Sequence, residues 1–247
     1  MPTDAGSAAG TALFTPRLSV IIPAYNEEER LGKSLPEIIR YLSSRDYTWE
    51  IIVVDDGSAD GTSRITEKLC VGHPHTVLRN EPNRGKGYSI RRGMTEAMGE
   101  YRLFTDADLS TPIDELEKFW RHADEGAGVV IGSRALPGSD LVVRQRKYRE
   151  LMGRIFNTLV QKMAVSGIHD TQCGFKLFSA EAAEAIFPLQ TLDGFAFDVE
   201  LLMLARKKGF RIVEVAVRWI NSPASKVSAW RDSTRMFLDL LRIRLRN

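Results

Sequence analysis

The amino-acid sequence predicts an α/β fold, a mixed, mainly parallel sheet flanked by helices, and three observations carry that prediction. Short apolar runs alternate with helical spacing through the first half, the pattern of βα units. Clusters of acids and turn formers stand where those runs stop, which is where open α/β sheets bind ligands. The chain's 247 residues, 43% hydrophobic and 27% charged, describe an ordinary globular protein. A domain of that size buries roughly three quarters of its unfolded surface, so it needs neither disulfides nor a structural metal to fold.

In chain order, the first sixteen residues are rich in Ala, Gly, Thr and Pro. They lack the basic start and the apolar stretch of about 7 to 15 residues that mark a secretory signal. Residues 1–16 therefore read as a disordered leader, residues 17–247 as one domain, and the protein as intracellular. Strands are expected at Leu18–Ile22, Glu50–Val54, Thr76–Leu78, Tyr101–Thr105 and Val129–Ile131. Between the first two, Leu31, Leu35, Ile38, Ile39 and Leu42 recur at helical steps, an amphipathic helix laid on one face of the sheet. Thr111-Pro112-Ile113-Asp114 reads as a helix start, with a hydroxyl cap, a proline in the first turn and an acid three residues on. The longest apolar run, Leu201–Ala205, is five residues against the roughly 20 of a spanning helix, so no membrane crossing is expected. Cys70 and Cys173 lie 103 positions apart, with no metal-ligand spacing, and suit a reducing compartment.

A net charge of +2 argues against a general nucleic-acid binder, but the charge is unevenly spread. Leu141–Asp170 holds six basic residues against two acids, and Lys226–Arg246 repeats that balance. Both stretches carry helical apolar spacing, one through Leu151, Ile155, Leu159 and Met163, the other through Phe237, Leu240, Leu241 and Leu245. Each fits a C-terminal amphipathic helix lying at an anionic membrane surface, or one packing on the domain.

Three polar clusters carry the chemistry. The first strand ends in Pro23-Ala24-Tyr25-Asn26-Glu27-Glu28 and the second in Asp55-Asp56-Gly57-Ser58. These are residues of turns and helix caps, and equally acids that can accept hydrogen bonds from a nucleobase or ribose. No G-x-G-x-x-G follows the first strand, which counts against a nicotinamide dehydrogenase. The fourth strand ends in Thr105-Asp106-Ala107-Asp108, two carboxylates that repel unless a cation lies between them. A solvated loop would tolerate the pair; Mg²⁺ or Mn²⁺ completed by phosphate oxygens would use it. Asn83-Arg84-Gly85-Lys86-Gly87, opening the helix after the third strand, offers amides and cations suited to phosphate without being a Walker loop.

The order of these clusters resembles the family 2 glycosyltransferases of the Rossmann-like GT-A fold. Gly132-Ser133-Arg134, Asp170-Thr171-Gln172-Cys173-Gly174-Phe175-Lys176-Leu177-Phe178 and Phe197-Asp198-Val199-Glu200-Leu201-Leu202 are similar to the dolichyl-phosphate β-glucosyltransferase branch of that family. The resemblance runs from about Leu18 to the C-terminus. It implies inverting transfer of a sugar, glucose from UDP-glucose, to dolichyl or undecaprenyl phosphate. Another donor such as GDP-mannose, another acceptor, or a non-catalytic nucleotide-binding module are the competing readings. Carried over by residue, it puts Pro23, Ala24, Tyr25, Glu27, Asp55 and Asp56 around the nucleotide, with Asp56 on the base. Asp106 and Asp108 would hold Mg²⁺ or Mn²⁺ and the donor diphosphate, with Lys86 near the phosphates. Ser133 and Arg134 would meet the acceptor phosphate, with Arg149 a further candidate. Lys226 matches the lysine of the family's Gly-Ser-Lys, with Ala224 in place of the glycine. The lipid acceptor implies peripheral binding at the cytoplasmic face of a membrane.

A phosphate monoester, with a second pKa of about 6, is already a nucleophile at neutral pH, so a side-chain base has less to do than in transfer to a hydroxyl. Asp198 is accordingly expected to position the acceptor or act as a modest base. Leu201, Leu202 and Leu204 favour a helix here, on which Asp198 and Glu200 splay apart. Cys173, Phe175 and Phe178 read as core residues even if their motif shapes the site.

Overall fold

The computed structural model describes residues 15–141, 165–194 and 196–220. Chain order is β1 (Leu18–Ala24), α1 (Glu28–Ser43), β2 (Trp49–Asp55), α2 (Thr62–Leu69), β3 (His75–Arg79), α3 (Lys86–Glu96) and β4 (Tyr101–Thr105). A 3₁₀ turn (Ile113–Leu116) then leads into α4 (Glu117–Asp124), β5 (Val129–Ser133) and the short β6 (Asp140–Leu141). The last described elements are β7 (Phe175–Ser179), α5 (Ala180–Ile186), α6 (Phe197–Lys207), β8 (Ile212–Ala216) and the short β9 (Arg218–Trp219).

Among the described residues, seven strands form one sheet in the order β3-β2-β1-β4-β7-β5-β8, and β6 pairs with β9. β1 pairs in parallel with β2 on one side and β4 on the other, so the crossovers diverge at β1 and leave a crevice at its carboxyl end. β7 alone runs antiparallel, wedged between β4 and β5. Its pairing sets Phe175 opposite Thr105, so its start lies beside the end of β4.

The period of two along β1 divides the core between the two faces of the sheet. Leu18, Val20, Ile22 and Ala24 join Leu31, Leu35, Ile38 and Leu42 of α1, with Phe119 of α4. Ile21 turns to the other face with Ile90 and Met94 of α3, Phe104, Phe178 and the apolar side of α6. The five expected strands are all present, four of them two residues longer than the apolar runs alone, and the expected helix is α1.

Thr111 does not cap a helix. The chain turns in through a 3₁₀ segment with Pro112 at its N-cap and no side-chain cap bond, and the Thr111 hydroxyl faces Cys173 Sγ at 3.7 Å. Pro16, assigned to the leader, is buried and its carbonyl accepts from the Glu100 amide at 3.0 Å, so it belongs to the fold. Residues 1–14, Arg149, Lys226, Ala224 and both amphipathic stretches lie outside the described residues.

Candidate functional site at the carboxyl edge of the sheet

The two loops after β1 and β2 are sewn to each other. The Asp56 amide donates to Ala24 O at 2.8 Å, Asn26 N to Ser58 Oγ at 2.9 Å, and Ala59 N to Asn26 Oδ1 at 2.8 Å. Glu27 N meets Thr62 Oγ1 at 2.9 Å, and its carboxylate holds Arg30 at 3.0 Å. Pro23 is half-buried, Ala24 is buried, and Tyr25 stands out with 45% of its surface exposed.

Asp55 and Asp56 are both buried and both engaged. Asp55 accepts from Ser58 N at 2.8 Å, from Arg79 at 2.9 Å and from the Ser63 hydroxyl. Asp56 accepts from Asn80 Nδ2 at 2.8 Å, Arg84 N at 2.9 Å and Gly85 N at 2.8 Å. This corrects one expectation. The amides of the Asn83–Gly87 segment are not open to phosphate at Arg84 and Gly85, because Asp56 uses them. Asp56 in turn locks that loop through the three bonds it accepts.

Lys86 begins α3 and reaches across to β4, where its ammonium lies 2.5 Å from Asp106 Oδ1. Burial alone would lower its pKa, but Asp106, with Asp198 and Asp108, outweighs burial and raises it. Asp106 can sit here because residue 174 is glycine: a Cβ there would fall 2.0 Å from Asp106 Oδ2. Asp108 accepts from Ser110 N at 3.0 Å. The repulsion inherent in the acid pair is thus answered in this structure by an ammonium. A patch that already draws in one cation, built from two carboxylates with the Asp106 side chain 35% exposed, fits a hard divalent ion completed by phosphate oxygens.

Behind Asp106, α6 brings Asp198 to the buried end of β7, where it forms an ion pair with Lys176. Lys176 exposes none of its surface and lies 5.1 Å over the Phe104 ring. Burial raises the Asp198 carboxyl, and Lys176 and Lys86 only partly oppose it. As expected on a helix, Asp198 and Glu200 diverge, Glu200 turning to Thr191 and Leu192.

Arg134 follows the buried Ser133 at the end of β5 and is committed to Asp170, through Nε to Oδ2 at 2.7 Å and Nη2 to Oδ1 at 2.9 Å. Burial disfavours its charge, but Asp170, with a smaller contribution from Asp106, more than offsets that and raises its pKa. The same pairing holds Asp170 below its ordinary value despite burial. Glu214 of β8 fixes the Asp170 loop by accepting the Asp170 amide at 2.7 Å. Arg134 is therefore held in a fixed orientation by Asp170.

Sequence reasoning assigned no site role to Lys176, Asp170, Glu200 or Glu214. For Lys176 the available signal was a lone lysine inside the apolar run Phe175–Phe178. Cys173, Phe175 and Phe178 are buried as expected, and burial pushes the Cys173 thiol up to about 11, away from nucleophilic use. Among the described residues no group of three or more His, Cys, Asp or Glu side chains could hold a metal alone, which leaves phosphate oxygens to complete the set.

Residues 19–187 match the family described as Glycosyl transferase family 2. The chain is 40% identical over 245 residues to a dolichyl-phosphate beta-glucosyltransferase of Dictyostelium discoideum, covering 93% of this chain and 74% of the relative. It is 39% identical over 246 residues to the Homo sapiens enzyme of that name, covering 94% and 76%. Among solved structures, it is similar to glucosyl-3-phosphoglycerate synthase from Mycobacterium tuberculosis in complex with Mn²⁺ and UDP. That likeness has a TM-score of 0.66 at 21% identity, covers 93% of this chain and 80% of the other, and speaks to the fold.

Proposed function

The chain belongs to glycosyl transferase family 2, and from that premise we propose that it moves glucose from UDP-glucose to the phosphate of a dolichol-type polyprenol, with inversion. The observation that carries the reading is the cation-seeking acid pair Asp106 and Asp108 at the end of β4, beside the divergence point of the crossovers. Relatives named for this reaction support the donor sugar and the acceptor.

In this reading Pro23, Ala24, Tyr25 and Glu27, on the loop after β1, border the nucleotide. Asp55 and Asp56 shape that pocket from behind, Asp56 by pinning the Arg84–Gly85 turn. Asp106 and Asp108 hold Mg²⁺ or Mn²⁺. When bound, the ion supplies positive charge that stabilises the departing diphosphate. Lys86, freed from Asp106, presents its ammonium to the same phosphates. The acceptor phosphate is already charged, so no residue need deprotonate it. Asp198, occupied by Lys176, suits positioning better than proton transfer. Arg134, held by Asp170, brings its positive charge to the acceptor side, with the buried Ser133 supporting it from the end of β5.

Among the described residues no helix is long and apolar enough to cross a membrane. The acceptor's lipid tail then calls for peripheral docking at a cytoplasmic membrane face, and the basic stretches at 141–170 and 226–246 supply the attraction. Flotation with anionic liposomes at low salt tests that, and protein left in the unbound fraction overturns it. The reaction itself is tested by offering UDP-, GDP- and dTDP-sugars with a short polyprenyl phosphate. UDP release from UDP-glucose is expected; release from GDP-mannose alone refutes the donor assignment.

A further inference from the structure

The start of α6 does more than carry Asp198. Glu200, 4% exposed, is a buried carboxylate with no Lys or Arg partner among the described residues. It accepts instead from one short segment: Thr191 N at 3.0 Å, Thr191 Oγ1 at 2.6 Å and Leu192 N at 2.8 Å. A buried charge is kept only where such donors replace water, and here all of them come from residues 191 and 192.

That segment is a strap over the loop that carries Lys86. Gly87 N donates to Asp193 O at 2.8 Å, and Gln190 Nε2 bridges Gly87 O at 2.9 Å and Leu192 O at 2.8 Å. Arg91 clamps the strap from α3 through Gln190 O at 2.6 Å and Asp193 at 3.3 Å. The fit has no slack: a Cβ at position 85 would lie 2.5 Å from Asp193 O, and one at position 87 would lie 2.6 Å from Leu192 O. Asp56 holds the other side of the same turn through the Arg84 and Gly85 amides. Lys86 is thus gripped on both flanks while its ammonium projects to Asp106.

We infer that Glu200 is a positioning residue for the donor diphosphate, acting through the 190–193 strap to fix where Lys86 places its ammonium. The inference rests on the donor reading above and goes beyond it by assigning to the helix of Asp198 a second duty on the opposite substrate. It also predicts selectivity: Lys86 meets phosphate, so disturbing the strap weakens recognition of the diphosphate and spares the nucleoside.

Calorimetric titration of the full chain with UDP and with UMP tests this. Glu200→Gln places an amide donor against the strap's own donors. Thr191→Val, at an exposed position, deletes one contact without threatening the fold. Expected losses in UDP affinity are about tenfold and about threefold, since small misplacements of a charged contact cost up to about 10²-fold. UMP affinity should stay within about twofold. In a Lys86→Met background neither substitution should weaken UDP further, because the route runs through Lys86. Equal losses for UDP and UMP, or additive losses with Lys86→Met, overturn the inference. Failure of the unsubstituted chain to bind UDP overturns the donor reading and this inference with it.

Discussion

Replacing Lys176 by methionine isolates one buried charge. Lys176 exposes nothing and the Asp198 side chain 8%, so the substitution leaves a carboxylate inside the protein without its cation. Breaking such a pair costs about 3–5 kcal/mol, whereas exchanging both partners for apolar groups is often neutral. For a chain of this size each kcal/mol lowers the melting temperature by about 2–4 °C, which gives a drop of about 6–20 °C. Lys176→Met combined with Asp198→Leu should recover most of it. The pH dependence follows from the direction of the Asp198 shift. Burial raises that carboxyl in the folded chain. A carboxyl raised on folding contributes most below its unfolded pKa of about 4, and that contribution is lost as pH rises through the folded value. Removing Lys176 takes away the main opposing charge and widens the window. The deficit of Lys176→Met relative to the parent should therefore be larger at about pH 8 than at about pH 5, and absent as a trend in the double variant. Urea unfolding of the three chains at both pH values measures this. A single variant as stable as the parent at pH 8, or a double variant no better than the single, refutes the account of a paired buried charge.

Asp108→Asn and Asp106→Asn should each cut UDP release from UDP-glucose at least about 10²-fold, and EDTA should do the same reversibly, with Mn²⁺ or Mg²⁺ restoring activity; Asp198→Asn should retain measurable turnover with a raised KM for the lipid phosphate, and wild-type kinetics would withdraw its positioning role. Gly174→Ala pushes a methyl group into Asp106, so Mn²⁺ affinity should fall at least about tenfold in a binding titration with little change in melting temperature; unchanged affinity would show that the carboxylate position does not depend on the glycine. Asp170, lowered by Arg134, stabilises the fold above its unfolded pKa of about 4, and this is lost as pH falls through its depressed folded value. In urea titrations from about pH 6 to pH 2, Asp170→Asn should be less stable than the parent at the upper end and converge with it at the lower.

The parts of this fold written locally were legible. β1, β2, β4 and β5 announce themselves as apolar runs, and Asp106 and Asp108 stand out as two like charges one residue apart directly after a strand. β7 was not legible. Phe175-Lys176-Leu177-Phe178 interrupts an apolar strand with a lysine, a residue type ordinarily at the surface, and only Asp198 from 22 positions later makes its burial tolerable. The roles of Asp56 and Arg134 were also hidden. Sequence shows that a carboxylate or guanidinium is present, but not that Asn80, Arg84 and Gly85 engage the first or Asp170 the second. The strap at 190–193 has no periodicity at all, and its meaning lies wholly in what it touches.

The reversed direction of β7 has a consequence for how the molecule is made. Until Phe175–Ser179 insert, β4 and β5 face each other across an empty lane, each offering a row of unsatisfied amides and carbonyls. A chain emerging from the ribosome has therefore completed β1 to β4 well before it can close the sheet, and for that interval it carries open strand edges able to pair with a neighbour. The strand that fills this lane also carries Lys176, and Gly174 directly precedes it, so the segment that joins the two halves of the sheet is the one that packs against Asp106 and Asp198.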